Sequence, residues 1–375
     1  DLNFSNPAVL IEIIDIVRTY LERGTKIFRL DAVAFIWKQI DTECINLPQT
    51  HEIIRLIRTL TDFYSDEVFL ITETNIPNRE NLSYFGNRNE AHLVYNFALP
   101  PLILYTLLNG MSGKIKQWLM SMPPAIFGTT YFNFIASHDG IGLRPIEEIL
   151  TEEEIDMLAK NIEGAGGKVS YRTKENSQRP YELNIALFDA LKLHVKDGDD
   201  SYQEARFISA HTIMLSLEGI PAFYIHSFLA TQNDYEKVKH SGKNRGINRH
   251  QWQMRELEQI LLGENHHSRM FYELLRLIGI RKRQRAFHPN ATQFTLDLGN
   301  SVLALWRQSL DRTQSIFSIH NISNQKIAIQ LSDLNLIETD NWFDLISGTK
   351  LERSHGKLML TPYQSMWITN KSSIM

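Results

Sequence analysis

Hydrophobic and polar positions along the first three-quarters of the chain predict strands that alternate with helices. Short apolar runs follow longer stretches of helical periodicity, an order typical of βα units and a parallel sheet. The predicted strands are residues 26–31, 68–73, 92–97, 131–137 and 220–226. The predicted helices are residues 6–23, 47–64, 99–108, 203–217 and 266–283.

Two segments depart from this pattern. Residues 140–200 are a long polar stretch that is either a functional loop region or a tolerated surface insertion. After Pro289, short alternating runs separated by Asp, Asn, Ser and Gly predict a small antiparallel β domain. We therefore place one domain at residues 1–288 and a second at 289–375.

Composition excludes several classes of protein. The 375 residues are 43% hydrophobic and 22% charged, as in an ordinary globular protein. The net charge of −4 gives no electrostatic case for binding nucleic acid or an anionic membrane. The single cysteine, Cys44, excludes an internal disulfide framework and favours a reducing, cytoplasmic compartment. Asp1 is not a start residue, so we expect the natural N-terminus to lie upstream.

Three of the predicted strands lead into an acid: Asp31, Glu73 and Asp139. In parallel α/β sheets and barrels, chemistry takes place at the carboxyl ends of the strands. One acid at such a position is more often a helix cap or the start of a loop than a catalytic group. Three in successive units favour an active site.

Carboxylates at this edge fit retaining glycosyl transfer, which needs a nucleophile and an acid about 5–5.5 Å apart. We predict Asp31 as the nucleophile, because Arg29 lies two residues earlier on the same strand face and can keep it ionised. Glu73 is the predicted general acid/base, since its apolar strand favours the protonated form. Asp139 would hold sugar hydroxyls as the ring distorts.

The segments that carry these acids resemble three signatures of the α-amylase family of glycoside hydrolases. They are residues 28–33, 72–73 and 133–139. In that family the acids matching Asp31, Glu73 and Asp139 are the nucleophile, the acid/base and the transition-state stabiliser. The resemblance implies an α/β fold, namely strands four to eight of a (β/α)8 barrel followed by a small antiparallel β domain. The first three strands, and family residues there that clamp the glucosyl unit, are not found in this sequence.

Further stretches narrow the resemblance to the sucrose phosphorylase subfamily. They are residues 95–102, 137–142 and 244–250. Phosphorylases use inorganic phosphate in place of water, which needs cationic or amide donors over the glucosyl-enzyme. By this resemblance Arg245 would bind phosphate and Tyr181 would line the acceptor subsite, while Arg29 and His138 would contact substrate. Without it, Arg245 and Arg249 would be interpreted as two solvated loop arginines.

Two positions depart from sucrose phosphorylases proper, which carry a histidine two residues after the acid/base and an acid that contacts fructose. Asn75 and Arg179 stand at those places. The sequence looks more like members acting on glucosylglycerate, glucosylglycerol or sucrose 6′-phosphate. Arg179 would suit an anionic acceptor such as glycerate, and the alternative is a surface residue of a mobile loop.

The predicted function is a retaining phosphorylase that cleaves an α-glucoside such as sucrose or glucosylglycerate and forms α-glucose 1-phosphate. Its partners would be a small sugar substrate and inorganic phosphate, with no nucleic acid, membrane, metal or cofactor, and a homodimer stays open. The alternatives are an α-glucosidase or transglucosylase of the same fold, a non-catalytic amylase-fold protein, and a truncated product without function. The acceptor stays open among fructose, glycerate, glycerol and a phosphorylated sugar.

Overall fold

The computed structural model describes residues 2–174, 177–194, 198–199, 201–334, 342–351 and 356–371. Within them the chain forms two units. The first comprises Asp1–Phe97 with Ala125–Phe132, and the second comprises Ala98–Pro124 with Asn133–Met375. The domain boundary at residues 288 and 289 stays a prediction.

Two helices of the first unit begin within one residue of their predicted starts. Helix α1 (Pro7–Glu22) starts after Asn6, whose side chain accepts from the Ala8 amide, and proline occupies the first turn. Helix α2 (Pro48–Tyr64) buries Ile53, Ile54 and Ile57 on one face. Helix α3 (Asn78–Leu82) is a single short turn. The predictions for α1 and α2 are thereby confirmed.

Four parallel strands follow one another in chain order in the first unit. They are β1 (Ile27–Leu30), β2 (Phe69–Thr72), β3 (Leu93–Tyr95) and β4 (Thr130–Asn133), and the last residue of β4 belongs to the second unit. The pairings Leu30 with Thr72 and Thr72 with Val94 align their carboxyl ends. The residues that follow β1 and β2 therefore emerge at the same edge of the sheet.

The described part of the second unit contains nine helices, and a large apolar core lies among several of them. Its helices are α4 (Leu99–Asn109), α5 (Gly113–Ser121), α6 (Glu152–Gly164), α7 (Leu187–Ala190), α8 (Gln203–Ser216), α9 (Ile225–Phe228), α10 (Tyr235–Ser241), α11 (Met254–Leu262) and α12 (His266–Lys282). Helices α4 and α8 are buried on nearly every side, and Leu102, Leu107, Phe207 and Ile213 lie at the centre of this core. The helices predicted at 99–108, 203–217 and 266–283 are confirmed to within two residues.

The polar stretch at 140–200 is well structured over its described residues. It contains α6, which starts with a capping box between Thr151 and Glu154, and three antiparallel strands. The strands are β5 (Ile141–Gly142), β6 (Lys168–Lys174) and β7 (Ser177–Asn184), with β7 in the middle. The short strands β8 (Leu193–His194) and β9 (Gly198–Asp199) pair with each other. Residues 175–176, 195–197 and 200 of this stretch lie outside the described residues.

Two strand predictions were wrong in extent. The strand expected at 131–137 ends at Asn133, because the carbonyls of Ser137 and Asp139 accept from the Asn248 side chain instead of a neighbouring strand. The strand expected at 220–226 is β10 (Ile220–Pro221), and the chain enters α9 at Ile225. Proline supplies no amide for a longer ladder.

The end of the chain forms the predicted antiparallel β structure. Its strands are β11 (Thr292–Leu296), β12 (Val302–Gln308), β13 (Ser315–Asn321), β14 (Ile327–Gln330), β15 (Phe343–Asp344), β16 (Thr349–Lys350), β17 (Lys357–Leu360) and β18 (Ser365–Thr369). Six of them form one sheet in the order β11-β12-β13-β18-β15-β16. The fully buried Trp367 donates its indole N–H to Ser216 Oγ at 2.8 Å, which ties this sheet to α8. Over the described residues, no helix has the length and apolar character that crossing a bilayer requires.

Candidate active site

Asp31 follows β1 and is held by an arginine of that strand. The Arg29 Nη1 donates to Asp31 Oδ1 at 2.5 Å, so the two side chains meet on one face as the sequence predicts. The Asp31 side chain is 72% exposed. A carboxylate in this position is accessible to a substrate and lies next to a cation.

Glu73 follows β2 and is more enclosed, with 14% of its side chain exposed. Its Oε2 accepts from the Ala32 backbone amide at 2.8 Å and lies 3.9 Å from Arg29 Nη2. Its own amide continues the β1–β2 ladder by donating to the Leu30 carbonyl at 3.0 Å. One guanidinium therefore lies against both carboxylates, which brings Asp31 and Glu73 together.

Tyr95 at the end of β3 completes this group, and the sequence reasoning did not assign it a role. Arg29 Nε donates to the Tyr95 hydroxyl at 3.1 Å, and the guanidinium lies 5.5 Å from the ring centre. Burial lowers the pKa of Arg29, but Tyr95, Asp31 and Glu73 together outweigh it and raise that pKa above its usual range. An aromatic residue at the carboxyl end of a strand was the signal that could have identified it.

Asp139 lies in the second unit, between two arginines. Its Oδ1 accepts from Arg245 Nη1 at 2.6 Å and from Arg249 Nη2 at 3.0 Å. His138 Nε2 lies 3.5 Å from the other oxygen, and the His138 carbonyl accepts from Arg249 Nε. The structure thus brings together the predicted residues Asp139, His138 and Arg245. Their convergence with Asp31 and Glu73, which belong to the first unit, stays a prediction.

Glu182 on β7 is the main residue of this group that sequence reasoning missed. It is only 3% exposed, and its two oxygens accept from Arg245 Nε at 3.1 Å and Nη2 at 2.5 Å. This bidentate contact is the first cause of the raised pKa of Arg245. Arg245 thus lies between Glu182 and Asp139, which is a more constrained position than that of a solvated loop arginine.

The segment that carries Arg249 is fixed on both sides. The Asn248 carbonyl accepts from the Tyr224 hydroxyl at 2.7 Å, and burial raises the Tyr224 pKa to about 12 although Arg249 opposes the rise. The Arg249 carbonyl accepts from Lys237 Nζ, and the His250 ring contacts Asp234 Oδ2 at 2.7 Å. Arg249 is therefore presented to Asp139 by a braced backbone.

Two predicted acceptor residues on β7 line different cavities. Tyr181 borders an open cavity of about 580 Å³ together with Arg245. Arg179 borders a cavity of about 280 Å³, where its Nη1 lies 2.6 Å from Glu152 Oε2. Over the described residues, His, Cys, Asp and Glu side chains nowhere form a group of three or more that could hold a metal ion.

Comparison with known proteins gives this geometry a context. A family profile described as the catalytic domain of α-amylase matches residues 1–140. The glucosylglycerate phosphorylase of Spirochaeta thermophila is 37% identical over 379 residues, a match that covers 98% of this chain and 64% of that protein. The glucosylglycerate phosphorylase of Escherichia coli K12 is 38% identical over 373 residues, again covering 98% of this chain and 64% of the relative. The chain thus spans slightly less than two-thirds of the length of these relatives.

Among solved structures, the fold matches sucrose 6F-phosphate phosphorylase from Thermoanaerobacter thermosaccharolyticum with a TM-score of 0.73. That match covers 86% of this chain and 61% of the other at 24% identity. At this identity the likeness concerns the fold alone.

Proposed function

Because this chain belongs to the α-amylase family, we propose that it carries out retaining glucosyl transfer to inorganic phosphate, with α-glucosylglycerate as the donor. The observation that carries the proposal is the placement of Asp31 and Glu73 against one guanidinium, that of Arg29. The similarity to glucosylglycerate phosphorylases over 98% of the chain supports the choice of donor. In this proposal the parallel strands correspond to strands four to eight of a (β/α)8 barrel, with the β domain at residues 289–375.

In the first step an Asp31 carboxylate oxygen attacks the anomeric carbon of the glucosyl unit. The bond from that carbon to the glycerate oxygen breaks, and Glu73 gives its proton to the leaving oxygen. The exposed position of Asp31 suits attack, and the enclosed position of Glu73 suits proton transfer. The products of this step are free glycerate and a glucosyl ester of Asp31.

In the second step a phosphate oxygen attacks the anomeric carbon and displaces Asp31, while Glu73 recovers a proton from the phosphate. Two inversions at the same carbon retain the α configuration, so the product is α-glucose 1-phosphate. Asp139, held by Arg245 and Arg249, is assigned to the sugar hydroxyls. The two arginines hold its carboxylate in orientation for that contact.

A donor assay with and without phosphate tests the proposal. The protein is incubated with glucosylglycerate, sucrose or glucosylglycerol, and glucose and glucose 1-phosphate are measured separately. We expect glucose 1-phosphate from glucosylglycerate, in an amount that depends on phosphate. Rapid release of glucose that phosphate does not alter would instead show a glucosidase. No turnover, even after the part of the E. coli relative that this chain does not span is fused to it, would favour a non-catalytic amylase-fold protein.

A further inference from the structure

The cavity beside Tyr181 is rich in cations. Its volume is about 580 Å³, and it is lined by Lys237, Lys243, Arg245 and Arg249. Among the described residues that line it, Glu182 is the one acid. Glu182 and Asp139 oppose the two arginines, and Asp234 interacts with Lys237, so Lys243 is the cation of this set without a counter-charge among the described residues. Cations crowded around a cleft attract an anion.

The four cations differ in what already holds them. Arg245 and Arg249 contact carboxylate oxygens, and the Lys237 ammonium donates to the Arg249 carbonyl. Over the described part of the chain, no carboxylate pairs with Lys243. Lys243 is therefore the cation most available to a ligand.

The backbone around Lys243 is held by hydrogen bonds within its own turn and to β6. Helix α10 ends at Ser241, and the next residue, Gly242, has a φ of 64°, the left-handed conformation that follows many helices. The Lys243 amide donates to Ser241 Oγ at 3.3 Å, and its carbonyl accepts from the Gly246 amide at 2.9 Å. The next residue, Asn244, donates to Ser170 Oγ on β6 at 3.3 Å. The lysine is thus presented from a fixed turn.

The cavity beside Arg179 is lined by more acidic than basic side chains. It is lined by Arg172 and Arg179 and by four acids, which are Glu147, Glu148, Glu152 and Asp156. Arg172 lies 2.5 Å from Glu147 and Arg179 lies 2.6 Å from Glu152. An anion entering here meets an excess of negative charge and has to displace an existing ion pair. In this geometry the Lys243 cavity is the better anion site.

We propose that Lys243, supported by Lys237 and Arg245, binds a compact oxyanion of a reaction partner and thereby determines specificity for charged over neutral acceptors. This inference rests on the proposed function. The oxyanion is either the carboxylate of glycerate or inorganic phosphate, since both present acceptor oxygens of similar size and charge to an ammonium group.

Substitutions at position 243 test the proposal in both directions of the reaction. We expect Lys243→Met to raise the KM for phosphate, or to lower kcat/KM for glycerate, by about three- to tenfold, because solvent partly screens an ion pair with an exposed lysine. The value for glycerol should change less than twofold. Lys243→Arg should recover most of the loss, and Lys239→Met on the exposed side of α10 is the matched control. A loss confined to phosphate identifies phosphate as the ligand, and a loss confined to glycerate identifies the acceptor.

A binding titration separates this inference from the proposed function. Phosphate and glycerate are titrated calorimetrically into the protein and into Lys243→Met, with no turnover required. Weaker binding of either anion in the variant supports the site even if the donor assay shows no phosphorolysis. Unchanged binding of both anions would overturn the inference while leaving phosphorolysis intact. The inference would also fail if Arg179→Ala selectively weakened the binding of glycerate and Lys243→Met did not.

Discussion

The backbone amide of Ala32 donates to the carboxylate of Glu73 at 2.8 Å. The residue after one predicted catalytic acid thus holds the other in place. Ala32 adopts φ 49° and ψ 35°, a left-handed conformation that is unfavourable for an L-residue other than glycine by roughly 1–2 kcal/mol. This conformation turns the chain from β1 into the short 3₁₀ turn at Val33–Phe35 while the amide points at Glu73.

Substitutions at Ala32 should test the left-handed backbone conformation and the amide contact to Glu73. Valine tolerates the left-handed region poorly, so Ala32→Val should lower the free energy of unfolding by about 1–3 kcal/mol and reduce kcat as the amide leaves Glu73. Ala32→Gly should be neutral or stabilising by up to about 1 kcal/mol. Urea unfolding and turnover measured on all three proteins provide the check. A valine variant as stable and active as the parent would show that the amide contact is dispensable.

Substitutions at the two acids should affect different steps. Asp31→Ala should abolish the glucosyl-enzyme, which mass spectrometry after rapid quenching detects as a covalent adduct. Glu73→Gln should slow turnover of glucosylglycerate far more than that of α-glucosyl fluoride, because fluoride leaves without protonation. The ratio of kcat/KM for the two donors is the measurement. Equal losses on both donors would contradict the role of Glu73 as the acid.

The elements that were predicted correctly carry their signals in local sequence. Asn6-Pro7 starts α1 through a cap and a proline at the first turn, and the apolar run before Glu73 forms a strand buried in a parallel sheet. The Arg29–Asp31 contact also follows from local sequence, since residues two apart on a strand share a face.

The elements that were missed depend on contacts between distant residues. Asn248 satisfies the carbonyls of Ser137 and Asp139 from 111 and 109 residues away, so the predicted strand ends early. Glu182 looks like an ordinary polar strand residue until Arg245, 63 residues later, folds against it. Hydrophobic periodicity and residue propensities carry no information about such pairs, because only the tertiary structure brings the two residues together.

Gly140 leaves room for the Glu182 side chain. A Cβ at position 140 would lie 2.6 Å from Glu182 Cδ, too close for the carboxylate to keep its place beside Arg245. Gly140→Ala should therefore lower the free energy of unfolding by about 1–3 kcal/mol and weaken the hold on Asp139, with a drop in kcat/KM.

Gly113→Ala is the matched control, because nothing lies within 4 Å of the added Cβ at the start of α5. Thermal unfolding and turnover of both variants are compared. Equal melting temperatures for the two alanine variants would refute the packing argument.

His320 should make the protein sensitive to acid. It is fully buried, with Nδ1 2.8 Å from Ser365 Oγ and Nε2 3.4 Å from Ser216 Oγ, and burial lowers its pKa to about 3 from the ordinary 6.5. Between these two pKa values the unfolded chain binds a proton at His320 that the folded chain does not bind. The free energy of unfolding therefore decreases as the pH falls from about 6.5 towards 3.

Replacing the His320 side chain should make the free energy of unfolding depend less on pH. His320→Gln can keep a neutral hydrogen bond to Ser365 and cannot take up a proton on unfolding, so its free energy of unfolding should fall less between pH 7.5 and 5. The difference from the parent should be about 1–2 kcal/mol at pH 5, given 1.36 kcal/mol per pKa unit. Urea unfolding at pH 7.5, 6 and 5 measures it, with the exposed His240→Gln as the control. His211 is also fully buried, and burial lowers its pKa to about 4. Some dependence of the unfolding free energy on pH therefore remains in every variant. Parallel profiles for the parent and His320→Gln would mean that His320 does not contribute to the acid sensitivity.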